Sequence, residues 1–164
     1  MYIASRFARR DEMKGVAADL EGHGFEVTSR WLDSPSALLP GELDTTGRAA
    51  ALAMMDLEDV HRAGICIAFT EPPEETKPGR GGRHTEFGIA IALGLRVVLV
   101  GPREHVFHCL PSVENYETWE EARAALVSFS PVNDGVDALG QPADITARRT
   151  LQADAAGELR RVAG

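Results

Sequence analysis

Residues 65–101 read ICIAFTEPPEETKPGRGGRHTEFGIAIALGLRVVLVG, and the way this stretch divides decides the fold. ICIAFT (65–70) is a continuous apolar run rich in β-branched residues, which predicts a strand buried on both faces. EPPEETKPGRGG carries three prolines and three glycines and cannot be regular structure. TEFGIAIALG predicts a helix capped by Gly94, and RVVLVG (96–101) is a second continuous apolar strand. Strand, helix, strand in this order implies a right-handed crossover joining two parallel strands.

The same alternation extends outward. YIAS (2–5) opens the chain as a short strand, followed by ARRDEMKGVAADLEGHG, where Met13, Val16, Ala17 and Leu20 recur at helical spacing before Gly22 and Gly24. FEVTSRW (25–31) alternates apolar and polar residues and predicts a second strand. RAAALAMMDLEDVHRAG favours helix, and SVENYETWEEARAALVSF predicts a last short strand and a helix beginning near Glu117. The expectation is an α/β three-layer sandwich with a five-stranded parallel sheet over residues 1–130. From Pro131 to Gly164 the chain becomes polar and punctuated, which predicts an extension that is partly disordered or packs on a partner subunit.

Composition bounds the rest. A chain of 164 residues, 44% hydrophobic and 26% charged, suits one globular domain. A net charge of −8 argues against a nucleic-acid polymer as partner. No apolar run approaches the roughly 20 residues that span a bilayer, and MYIASRF is too quickly charged for a secretory signal. Cys66 and Cys109 show no framework spacing, so a cytoplasmic location is expected.

In an open parallel sheet, ligands bind beyond the carboxyl ends of the strands. Four segments fall there: 5–10, the loop after Trp31, 70–83 and 101–109. In the first, Arg6, Arg9 and Arg10 open a helix and suit an anionic ligand, or are solvated surface residues balanced by Asp11 and Glu12. In the third, GRGGRHTEFG lacks the Lys-Ser/Thr pair of a P-loop and the placement of a dinucleotide fingerprint. Its distinctive residue is Glu86, expected in the first turn of the helix as a stabilised anion, with Gly88 leaving room beside it; a capping glutamate is the plain alternative. Asp56 and Asp59 share a helix face at i, i+3, and either can point into the site or lie at the surface. HVFHC offers His105, His108 and Cys109 with poor ligand spacing and no second cluster, so no metal site is expected.

Together these segments resemble the nucleoside 2-deoxyribosyltransferase superfamily, including its nucleoside 5′-monophosphate N-glycosidase branch. The residues that carry the resemblance are Tyr2 in MYIAS, Asp56 in MMDLEDVHRAG, and Gly82, Glu86 and Gly88 in GGRHTEFGIAIALG. The resemblance implies a flavodoxin-like or Rossmann-like fold, homodimers or higher homo-oligomers, a small nucleoside or nucleotide as ligand, and neither metal nor cofactor. It also implies that Glu86 attacks the anomeric carbon, that Tyr2 orients it, and that Asp56 holds a sugar hydroxyl or assists proton transfer. Ser5, Arg6, Arg9, Gly82, Arg83 and Gly88 are the substrate-binding positions by the same analogy. Many of the transferases have D-x-G-T-x-x-E-x-G in the turn, where this chain has Arg80 and Arg83; many also have an Asp where it has Gly64. The added positive charge, with SRFAR after the first strand, favours a phosphorylated substrate. The competing expectation is a non-catalytic nucleotide-binding or sensor domain of the same fold.

Overall fold

A computed structural model describes residues 1–35, 47–72 and 81–128. The expected C-terminal extension 131–164, and Arg80 with the rest of 73–80, lie outside the described residues, as do residues 36–46. The chain divides into two units, Met1–Ala124 and Ala125–Gly164. Of the second, only residues 125–128 are described.

The elements are β1 (Tyr2–Ala4), α1 (Arg10–Gly22), α2 (Gly47–Arg62), β2 (Ile65–Phe69), α3 (Gly82–Ala92), β3 (Arg96–Val100), β4 (Val113–Tyr116) and α4 (Trp119–Ser128). Among the described residues the sheet has four parallel strands in the order β1-β2-β3-β4. Continuous apolar sequence is what such strands require, because helices cover both faces. α1 buries Met13, Val16, Ala17 and Leu20, as their spacing predicts. It ends when Gly24 takes φ 84°, letting Phe25 N–H reach Leu20 O at 3.1 Å and Gly24 N–H reach Glu21 O at 2.9 Å. Gly94, at φ 68°, closes α3 in the same way.

The strand expected over residues 25–31 does not form, so the sheet has four strands rather than five among the described residues. The segment runs along the free edge of β1, but side chains take the places that a backbone ladder would fill. Ser29 Oγ accepts the Ile3 N–H at 2.6 Å, and the Trp31 indole donates to Ile3 O at 2.8 Å. Thr28 N–H to Met1 O, at 2.8 Å, supplies a backbone bond, after which the chain tightens into a 3-10 turn at Arg30–Asp33. The alternating pattern was real; its inward polar residues serve as edge partners rather than as strand positions.

Strand register sorts the core into two faces. Tyr2, Cys66, Val97 and Val113 lie side by side, and α3 packs against β1, β2 and β3. On the opposite face Phe69 meets Trp119, whose indole donates to Asp19 of α1 at 3.0 Å. The carboxyl ends of the strands therefore open onto Ser5, Thr70, Gly101 and the start of α3. Gly101 has φ 108°, and a Cβ there would stand 2.7 Å from Thr70 Oγ1, so this close approach admits only glycine. No helix of the described residues is long and apolar enough to cross a membrane.

Candidate active site

α3 carries Glu86 over β1 and β2, facing Tyr2 and Cys66. The helix starts at Gly82, with Gly81 as N-cap at φ 76° and its carbonyl accepting the N–H groups of His84 and Thr85. Glu86 is thus the fifth helical residue, one turn deeper than expected, and the free amides of the helix start do not hold it as an anion. Burial dominates instead. It pushes the Glu86 carboxyl up to about 8, with the Asp56 charge adding to the rise and the Tyr2 phenol opposing it. Asp56 is pushed up to about 6, by burial first and then by the charge of Asp59, against the pull of Arg30. Tyr2 is raised by its own burial and by both carboxylates, so it stays a neutral donor.

Tyr2, Asp56 and Glu86 are therefore brought together, and the i, i+3 pair on α2 divides its labour. Asp59 is fully buried and clamped by Arg30, which donates its N–H at 2.9 Å and its Nε at 2.7 Å. Asp56 keeps one buried oxygen without a partner among the described residues. The Tyr2 hydroxyl approaches Glu86 closely enough to depress its pKa, but falls short of hydrogen-bond geometry and has no other partner there. Ser5 Oγ, just past β1, is a third buried and unsatisfied polar atom. Native folds leave few such groups, and two of the three belong to side chains, Tyr2 and Asp56, that face Glu86 electrostatically.

The glycines and arginines are placed differently from one another. A Cβ on Gly82 would lie 3.8 Å from Glu86 Oε1, so this glycine lines the carboxylate. Gly88 is exposed, with open space where a Cβ would go; two residues from Glu86 on a helix, it faces elsewhere and makes no room at the site. Arg6 donates to Glu71 at 2.6 Å. Arg83 grips both oxygens of Glu104, at 2.7 and 2.8 Å, and stands 3.8 Å from Glu71. Arg9 holds Glu12 through two nitrogens and reaches Thr70 O at 3.2 Å. The added positive charge expected here is matched by acids from neighbouring loops, and Arg83 Nη1 is the guanidinium nitrogen left buried without a hydrogen bond.

No family model matches the chain, and no curated protein matches it in sequence. Among solved structures, the fold is shared with a CMP N-glycosidase. That protein, BcmB of Clostridium botulinum, is 20% identical, with a TM-score of 0.50, the match covering 78% of this chain and 98% of the other. At this identity the likeness establishes the α/β parallel-sheet fold.

Three functional candidates are not visible in the sequence alone. Glu71 and Glu104 sit in loops beyond β2 and β3, the edge where site residues are expected, yet nothing in the linear order pairs them with Arg6 and Arg83. The third is His84. It lies 21 positions before His105 but brings its Nδ1 within 3.2 Å of His105 Nε2, and His108 packs against His105 with ring centroids 3.7 Å apart. One ring nitrogen from each of the three lies within 4.8 Å of the others. The HVFHC segment therefore has a third histidine beside it, supplied by α3. Burial lowers His84 and holds His108 down at about 4, so at neutral pH both are uncharged.

Proposed function

We propose that the chain cleaves or transfers at the N-glycosidic bond of a nucleoside or nucleoside 5′-monophosphate, with Glu86 as nucleophile. The observation that carries this reading is the largely desolvated Glu86 carboxyl in the field of two side chains that each keep an unsatisfied polar atom, Tyr2 Oη and Asp56 Oδ1. A sugar supplies hydroxyls to satisfy Asp56 and Ser5, while the Tyr2 phenol steadies Glu86. The Glu86 oxygen then bonds to the anomeric carbon as the carbon–nitrogen bond breaks. The bonding pair leaves with the base, and Asp56, titrating near 6, is suited to deliver a proton to it. Water or a second base next attacks the anomeric carbon and releases Glu86 as carboxylate. Positive charge developing on the sugar in the transition state favours the Glu86 anion that burial disfavours in the empty site.

For a monophosphate, the Ser5 hydroxyl and the unsatisfied Arg83 Nη1 are the donors to the phosphate. The solved neighbour acts on CMP, which makes CMP the first substrate to try. One observation favours the non-catalytic alternative: in the empty site Glu86 holds its proton to about pH 8. Incubation with CMP, deoxynucleosides and deoxynucleoside monophosphates, with and without an acceptor base, separates the readings. Free base in water alone means hydrolysis, and exchange only with acceptor means transfer. Binding without base release from any substrate refutes the enzymatic reading. Assembly into a homodimer or higher homo-oligomer belongs to the same proposal. Exposed Met54 and Leu57 on α2 support it, and light scattering in solution tests it.

A further inference from the structure

The histidine trio lies outside the chemistry proposed for Glu86, and its inference stands whether or not that chemistry holds. We propose that His84, His105 and His108 bind a divalent transition-metal cation, with zinc the best match to three imidazoles. A tetrahedral zinc with bonds of about 2.0–2.1 Å to nitrogen has ligand–ligand edges of about 3.3–3.4 Å. The 3.2 Å between His84 Nδ1 and His105 Nε2 is already close to such an edge. A cation can take the place of the proton those two nitrogens share once each ring turns to aim its lone pair at the ion.

The surroundings suit this arrangement. With Nδ1 turned to the ion, the other nitrogen of His84, Nε2, faces Glu104 Oε2 at 3.7 Å. A carboxylate behind a ligating histidine fixes its tautomer and raises its basicity. Glu104 is itself held in place by Arg83. His105 Nδ1 is buried without a partner among the described residues, so neither ring nitrogen of His105 is committed to a backbone group. Phe87 packs edge-on against His105 and His108, at 5.8 and 4.7 Å between centroids, and walls the inner side. His108 is the ligand that must change partner. Its Nδ1 accepts the Glu104 N–H at 3.1 Å, and either of its nitrogens can ligate only once that amide is released. Three nitrogens leave a fourth position open to water.

The test uses the full chain after chelator treatment, titrated calorimetrically with zinc chloride alone, and with cobalt(II) as an absorbing substitute. The expected result is one equivalent bound per chain and tetrahedral cobalt absorption. His84→Gln and His105→Gln each weaken zinc by more than the about 10–100-fold expected when an outer-shell partner such as Glu104 is lost by Glu104→Gln. Cys109→Ser, His23→Gln and His61→Gln leave the affinity unchanged. Circular dichroism of the metal-free variants checks their folding; the decisive variants are those of His84 and His105, which are half-exposed, rather than of buried His108. No stoichiometric zinc binding overturns the proposal. So does one equivalent that survives in the His84→Gln, His105→Gln double variant, or that is lost in Cys109→Ser.

Discussion

Glu86→Gln is expected to make the protein more stable, by an amount that grows with pH. In the folded chain burial and the Asp56 charge move Glu86 from its ordinary 4.5 up to about 8. The unfolded chain ionises near the ordinary value. Between these two values the unfolded state has released a proton that the folded state still holds, so stability falls as pH rises and levels off above the folded value. Each pH unit in that window costs about 1.4 kcal/mol, which sets a ceiling of about 5 kcal/mol above pH ~8. Asp56 lies in the same field and the two carboxyls titrate as a pair, so about 2–4 kcal/mol is the working expectation. Glutamine keeps the shape and does not ionise, and therefore carries none of this pH-dependent loss.

Urea unfolding of the wild type and Glu86→Gln at pH ~5, ~7 and ~9 measures the effect, with equal m-values confirming that the unfolded states match. The stability gap between the two proteins should be near zero at the lowest pH and reach its full size at the highest. Adding Asp56→Asn removes the neighbouring charge, and the wild-type decline should then end at a lower pH. A gap that stays constant across the range would refute the reasoning, since a carboxyl that titrates normally gives parallel curves.

Further outcomes follow from the same geometry. If ionised Glu86 attacks while protonated Asp56 serves the leaving base, kcat/KM for base release should be bell-shaped, with limbs near about 6 and about 8; a flat profile removes this pair as the titrating groups. Gly88→Ala should leave base release intact and stabilise the helix by about 0.5–1 kcal/mol in thermal melts, because its Cβ meets open space. Gly101→Ala should destabilise by about 2–4 kcal/mol, combining a positive φ with a 2.7 Å clash against Thr70. Ser29→Ala should cost about 1–3 kcal/mol, measured by urea unfolding, because the buried Ile3 N–H loses its acceptor.

Much of the fold was legible because it is written in local periodicity. The α1 core residues, both glycine-closed helix ends, and β2 and β3 follow from spacing and from the continuous apolar runs of a covered sheet. Residues 25–31 misled because Ser29 and Trp31 fit a strand pattern equally well as strand positions and as edge partners for Ile3. Only the position of β1 decides between those roles, and periodicity does not carry it. Glu86 lies deeper than its sequence position suggests because the helix begins at Gly82, three residues before Thr85, with Gly81 as its cap through a left-handed backbone.

The electrostatics of the edge were least legible, and the reason is physical. Local sequence shows arginines after β1 and at the start of α3 with acids scattered among the loops, and reads the excess of one sign as demand for a ligand of the other. In the fold, Arg6, Glu71, Arg83 and Glu104 alternate in sign, each facing its opposite at 2.6–3.8 Å. A pair this buried has lost hydration that only its partner replaces, so a phosphate would have to compete with a carboxylate already in place. On the proposed function the donor left for a phosphate is Arg83 Nη1, which stands 3.8 Å from Glu71 and makes no hydrogen bond among the described residues. If Ser5 and Arg83 do hold a phosphate, Arg83→Lys should weaken a monophosphate well before it affects the matching nucleoside. A lysine has a single nitrogen and cannot both hold Glu104 and offer a second donor, as Arg83 does with Nη2 and Nη1. Equal loss for both ligands in a base-release assay would mean that Arg83 only braces Glu104.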